Sequence, residues 1–173
     1  KDYKTLIEAV NILVNTRKIT NFLIRVVGAP VYKSDFGYLN EVKTLIEWYK
    51  IGDYFQFLGG RSYRDMPAIY QSADILVNLC PTGGKDKAVL EAMATGVVPI
   101  VANISFKDDL GSYFDQLIFK HGNSVDLSEK ILATKDNYNT GLKKYIREQI
   151  VQKHNLGKLV GKIVNFYQDE KIN

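Results

Sequence analysis

The sequence has one cysteine, two histidines and four prolines in 173 residues. A single cysteine rules out an internal disulfide framework, so a reducing cytoplasm is the natural compartment. Cys80 sits beside a strand end with no histidine near it in sequence and reads as packing rather than as a nucleophile. His121 reads as a turn residue, since no partners for a metal site lie near it, and no metal-ligand cluster emerges elsewhere. No apolar run approaches the length of a membrane span, and the first residues read as a helix rather than a signal peptide. The net charge of +4 is too small to argue for nucleic acid. What is present is ordinary for a soluble globular chain, with 46% hydrophobic and 24% charged residues in a length that fits one domain, 1–173.

The most informative stretch runs from Cys80 to Asn103. Ile75 to Leu79 is apolar apart from Asn78 and is bounded by Pro81, so it reads as a buried strand of a parallel sheet. Gly83 and Gly84 then let the backbone turn and leave room for a ligand at its amides. Asp86 is placed to cap a helix from Lys87 to Thr95, which Gly96 stops. Within that helix Ala88, Val89, Leu90, Ala92, Met93 and Ala94 are apolar on every side, which predicts a buried helix. Glu91 is the exception. An ionised carboxylate there needs a cation, backbone amides or a polar ligand, and a neighbouring loop or a helix dipole serves as well as a substrate.

These residues resemble the donor-site motif of the family 4 (group 1) retaining glycosyltransferases of the GT-B fold. The match covers Pro81, Thr82, Gly84, Leu90, Glu91, Ala92, Met93, Ala94, Gly96, Pro99 and Val101, and most other parts of the chain line up with the family's second, C-terminal domain. The resemblance implies that Glu91 receives the ribose hydroxyls of a nucleoside diphosphate sugar. The family's first glutamate, which contacts the donor sugar, falls at Gly83; Asp86 is a possible substitute, and equally a simple N-cap. Lys1 corresponds to the cation on the donor diphosphate, the catalytic role in this reading, although a solvated terminal lysine is the plainer alternative. The arginine and the strand that precede it in the family are absent here. The glycine-rich segment that covers the phosphates in many members is not reproduced by Phe106, Lys107 and Asp108.

Elsewhere the chain alternates helices and strands. Tyr3, Leu6, Ile7, Val10, Leu13 and Val14 have helical spacing. Phe22 to Val27 is a strand with Gly28-Ala29-Pro30 as its turn, and Gly28 is either ordinary turn chemistry or a point of ligand approach. A polar loop over Val31 to Phe36 precedes a helix marked by Leu39, Val42, Leu45, Ile46 and Tyr49. Tyr54 to Leu58 is a strand, and the loop after it carries Arg61, a phosphate or base contact by resemblance and otherwise a solvated arginine. Asp65 is a candidate cap for a short helix to Ser72. Val98 to Ile104 and Gln116 to Lys120 read as strands, Asp126 to Thr134 as a helix, and 141–173 as C-terminal helices. The tail's stripe of Leu156, Leu159, Val160, Ile163, Val164 and Tyr167 predicts an apolar inner face, and Lys143, Lys144, Arg147, Lys153, Lys158, Lys162 and Lys171 outnumber Glu148, Asp169 and Glu170. A basic amphipathic helix is also compatible with peripheral contact at the inner face of a membrane.

This order predicts an α/β, Rossmann-like parallel sheet with helices on both faces and its first, central strand missing. Glu91 and the Gly83-Gly84 loop fall at the carboxyl edge, where ligands bind, and the resemblance implies that Lys85, Asp86, Lys87 and the loop amides meet a donor diphosphate there. By resemblance the function is binding of a nucleotide-sugar donor for retaining glycosyl transfer to an acceptor hydroxyl, without metal or cofactor, as one half of a longer chain whose N-terminal domain binds the acceptor. A non-catalytic relative that binds nucleotide or a partner, and a sugar-nucleotide epimerase on the same fold, are the competing readings.

Overall fold

A computed structural model of the chain describes residues 1–169. Its elements are α1 (Tyr3–Asn11), β1 (Ile24–Val27), α2 (Lys33–Trp48), β2 (Phe55–Gly59), α3 (Met66–Gln71), β3 (Ile75–Asn78), α4 (Lys87–Ala94), β4 (Val98–Val101), α5 (Lys107–Leu110), α6 (Phe114–Leu117), α7 (Ser124–Asp136), α8 (Thr140–Lys153) and α9 (Leu156–Asp169). The α/β alternation expected from the sequence is present.

The strands form two parallel pairs rather than one sheet. In the first, Ile24 lies opposite Phe55 and Val26 opposite Phe57. In the second, Ile75 faces Val98 and Asn78 faces Val101, and Val101 also bridges in parallel to Ile118. The strand expected over Gln116 to Lys120 is reduced to that bridge, because α6 takes the chain as far as Leu117. β1 and β3 each keep one edge without a ladder partner among the described residues. This leaves β1 half-buried, and β3 half-buried except at Asn78, where a fully buried strand was expected.

One apolar core nevertheless joins both pairs. Leu6, Ile7 and Val10 of α1 meet Val42 and Ile46 of α2, Ile100 and Val101 of β4, Leu127 of α7, and Leu142 and Ile146 of α8. Each such side chain removed from water contributes about 1.5–3 kcal/mol. Of the expected stripe Leu6, Ile7 and Val10 are buried on α1 and Leu13 and Val14 on the π-helical turn Ile12–Thr16 that follows it, while Tyr3 is half-buried.

Other boundaries moved for local reasons. α2 begins at Lys33, inside the expected polar loop, because the Asp35 carboxylate reaches back to accept the amides of Val31 and Tyr32 at 3.1 and 2.9 Å. Asp65 stands at the N-cap of α3 as expected, but its side chain makes no capping bond and its carboxylate accepts the Ser62 hydroxyl at 2.7 Å. β4 stops at Val101, since Asn103 caps a tight turn by accepting the Ser105 amide. α7 begins at Ser124, before the expected Asp126, because Asn123 caps it by accepting the Asp126 amide, and the tail is two helices broken at His154-Asn155. The apolar stripe of α9 does not face inward, and Leu159, Ile163 and Tyr167 are all exposed. Glu170 and Lys171, counted in the tail's charge, lie outside the described residues.

Candidate functional site

The site is built on the connection from β3 to α4. Asn78 ends β3 as the one polar residue of an apolar run, and its buried side chain has a partner to satisfy: Nδ2 donates to Asp86 Oδ2 at 2.8 Å. Asp86 Oδ1 accepts the Ala88 amide at 3.1 Å and so caps α4, as expected. Lys1 Nζ stands 3.6 Å from Asp86 Oδ2, which brings the first residue of the chain to the loop. Burial pushes the Asp86 carboxyl up, but the Ala88 amide, the Asn78 amide and Lys1 outweigh it and hold it below its ordinary value. Gly83 has φ 92°, a conformation that a side chain would strain, and its carbonyl accepts Asn103 Nδ2 at 3.3 Å.

Glu91 projects from α4 one turn beyond Lys87. The Tyr70 hydroxyl donates to its Oε2 at 3.2 Å, and Lys87 Nζ lies 3.6 Å from Oε1. Burial first, and then the neighbouring Glu91 charge, push the Tyr70 phenol up to about 12, so it remains a donor across the physiological range. The Glu91 side chain keeps 25% of its surface exposed. The fully buried helix expected here is buried only at Val89, Ala92 and Met93; Ala88, Leu90 and Ala94 are half-buried. Lys87 Nζ also lies 4.8 Å from the centre of the exposed Tyr63 ring, which draws the loop after β2 against α4.

Lys85 is not a free cation. Its Nζ lies 2.6 Å from Oδ2 of Asp109, a carboxylate only 1% exposed, whose Oδ1 is 2.8 Å from His154 Nε2. Gly84 is exposed in the loop, and Arg61 is exposed after β2. The Gly28 amide donates to the Gly59 carbonyl at 2.9 Å, tying the ends of β1 and β2 together. The structure thus places Gly83, Gly84, Asp86, Lys87 and Glu91 on one loop and helix, with Lys1 against Asp86, Lys87 against Glu91 and Lys85 turned onto Asp109. Arg61 and Gly28 share the loops beyond β1 and β2. His121, read as a turn residue, lies 3.4 Å from Asp2 through its Nε2.

Four residues of this neighbourhood were not singled out as site residues from sequence: Tyr70, Asn78, Asn103 and Asp109. Asn78 had a signal, a lone amide in an apolar strand. Asp109 lay in a segment set aside for lacking the family's glycines. Among the described residues no group of three or more His, Cys, Asp or Glu side chains is placed to hold a metal ion. The chemistry available is a partly exposed carboxylate held by a phenol and an ammonium, cations beside a capped helix start, and an exposed glycine loop.

Residues 1–152 match the family model described as glycosyl transferases group 1. A curated relative, the UDP-Gal:alpha-D-GlcNAc-diphosphoundecaprenol alpha-1,3-galactosyltransferase of Escherichia coli, is 28% identical over 174 residues, covering 96% of this chain and 42% of that protein. Among solved structures, HepE of Anabaena in complex with UDP superposes with a TM-score of 0.85 at 15% identity, over 98% of this chain and 45% of that one. The C-terminal domain of a group 1 glycosyl transferase, LpcC, from Francisella tularensis has a TM-score of 0.72 at 16% identity, over 88% of this chain and 78% of that one. The chain therefore spans less than half the length of the longer proteins it matches and most of the isolated C-terminal domain.

Proposed function

This chain belongs to the group 1 glycosyltransferases, and we propose that it is the donor-binding domain, taking a uridine diphosphate sugar for retaining transfer of its glycosyl group to an acceptor hydroxyl. The observation that carries the reading is Glu91, held by Tyr70 and Lys87 on a helix whose capped start follows a glycine loop. A carboxylate so oriented accepts two vicinal hydroxyls, as a ribose offers, while amides at a helix start favour a diphosphate. The choice of uridine is supported by the UDP in the HepE structure and by the UDP-galactose named for the E. coli relative.

In this reading Lys1, half-exposed and 3.6 Å from Asp86, turns to the leaving diphosphate when the donor is bound. A unit charge pair at 4 Å is worth up to about 4 kcal/mol at an effective dielectric near 20, and such stabilisation grows as the leaving group gains charge. Transfer proceeds without a metal or cofactor. The acceptor is bound by an N-terminal domain, and peripheral contact with the cytoplasmic face of a membrane suits an acceptor carried on lipid. No described helix is long and apolar enough to cross a membrane.

The test is a transfer assay on the protein carrying its N-terminal half, with UDP-sugars and a lipid diphosphate saccharide as first acceptor. Glycosyl transfer with the anomeric configuration of the donor preserved, read by NMR of the product, supports the proposal. Nucleotide binding without transfer to any acceptor supports the non-catalytic alternative. Conversion of the free nucleotide sugar to an epimer supports the other.

A further inference from the structure

Three buried polar side chains converge on the loop that precedes α4. Asn103, Asp109 and Asn78 are 3%, 1% and 4% exposed, and they hold Gly83, Lys85 and Asp86 respectively. Buried amides and carboxylates are costly unless each has a partner, so their convergence on one short segment fixes its conformation. The segment needs that help, because Gly83-Gly84 has wide backbone freedom. Asp109 is the most buried of the three: its Oδ1 is 2.8 Å from His154 Nε2, where α8 ends, and its Oδ2 makes no hydrogen bond and faces the Lys85 ammonium as an ion pair.

We propose that Asp109 is a positioning residue for nucleotide binding: by drawing Lys85 down, it locks the loop so that its amides, rather than the Lys85 ammonium, face the diphosphate. The proposal rests on the donor-site reading above. It assigns Lys85 an inward, structural charge, with Asn78 and Asn103 completing a three-point clamp.

The test compares UDP, by calorimetry, with uridine, by NMR titration, in the wild-type protein and in Asp109→Asn, Lys85→Met, Lys85→Arg and the Asp109→Asn/Lys85→Met pair. Asp109→Asn is expected to weaken UDP about tenfold, the scale of one charge-assisted contact, and to leave uridine within about twofold. Lys85→Met should match it, the pair should lose no more than either single change, and Lys85→Arg should retain UDP affinity by re-forming the ion pair. If Asp109→Asn does not fold, the contrast between Lys85→Met and Lys85→Arg carries the comparison. Unchanged or tighter UDP binding in Asp109→Asn, with a loss in Lys85→Met, would show that Lys85 grips the diphosphate itself and overturns the proposal. Equal losses for UDP and uridine overturn it too, as general damage to the fold. A wild-type protein that binds no UDP removes the donor-site reading, and this proposal with it.

Discussion

Lys1 Nζ and Asp86 Oδ2 meet at 3.6 Å, so the start of the first helix and the start of the fourth share one electrostatic contact beside the glycine loop. Asp86 is also held by two amides, and its carboxyl is depressed below the ordinary 3.8. A depressed carboxyl contributes stability that is fully present above its unfolded value and lost as pH falls through its folded one. Thermal unfolding followed from pH 6 down to pH 2 should therefore show a fall in Tm below about pH 4 that is shallower in Asp86→Asn, which keeps the cap and lacks the titration. An unchanged acid limb would place the pH sensitivity elsewhere.

Tyr70 and Glu91 predict a second titration. The phenol is held up to about 12, first by burial and then by the carboxylate, so its contribution to stability is complete below its unfolded value near 10 and fades as pH rises through 12. The difference in phenolate absorbance between the wild-type protein and Tyr70→Phe should show a late-titrating tyrosine. Losing the bond to a charged acceptor should cost about 1–2 kcal/mol in denaturant unfolding, at the weak end because the bond is 3.2 Å long and Glu91 is partly solvated.

Gly111 ends α5 with φ 54° and ψ −126°, where a Cβ would come 2.2 Å from the Tyr145 hydroxyl. Gly111→Ala combines backbone strain with displacement of that ring and should cost about 1–3 kcal/mol. Adding Tyr145→Phe should recover only part of the loss, because the backbone strain persists. Full recovery would assign the whole cost to the hydroxyl.

The last helix makes the opposite prediction. Leu159 and Ile163 are 54% and 47% exposed. Replacing both with serine should change the unfolding free energy of this chain by no more than about 0.5 kcal/mol, whereas Ile146→Ala on the preceding helix, fully buried, should cost about 2–5 kcal/mol. A large loss from the serine pair would mean that the stripe packs inward.

Helical spacing located α1 and α2, and a cap and a glycine bounded α4, although the elements they pack on are far away in sequence, α7 for α1 and α8 for α4. The tail followed the same rule and failed at its second helix. Periodicity reports that Leu156 to Tyr167 has an apolar face, and nothing in it says what that face meets. The strand expected at Gln116 failed for a related reason, since a short apolar run suits a helical turn as well as a strand. At the site, Glu91 and Asp86 were legible because each is a charge in an apolar or glycine setting. Asp109 was not, since its burial depends on Lys85 and His154, which are far from it in sequence.

Calorimetric titration of UDP, GDP and ADP into the protein, with Glu91→Ala alongside, tests the central claim most directly. The account predicts that UDP binds in preference to the other two and that Glu91→Ala weakens it about ten- to hundredfold, the loss of charge-assisted hydrogen bonds worth about 1.5–3 kcal/mol. UDP binding with the same affinity in Glu91→Ala, or no binding of any of the three by the protein with its N-terminal half, would contradict it.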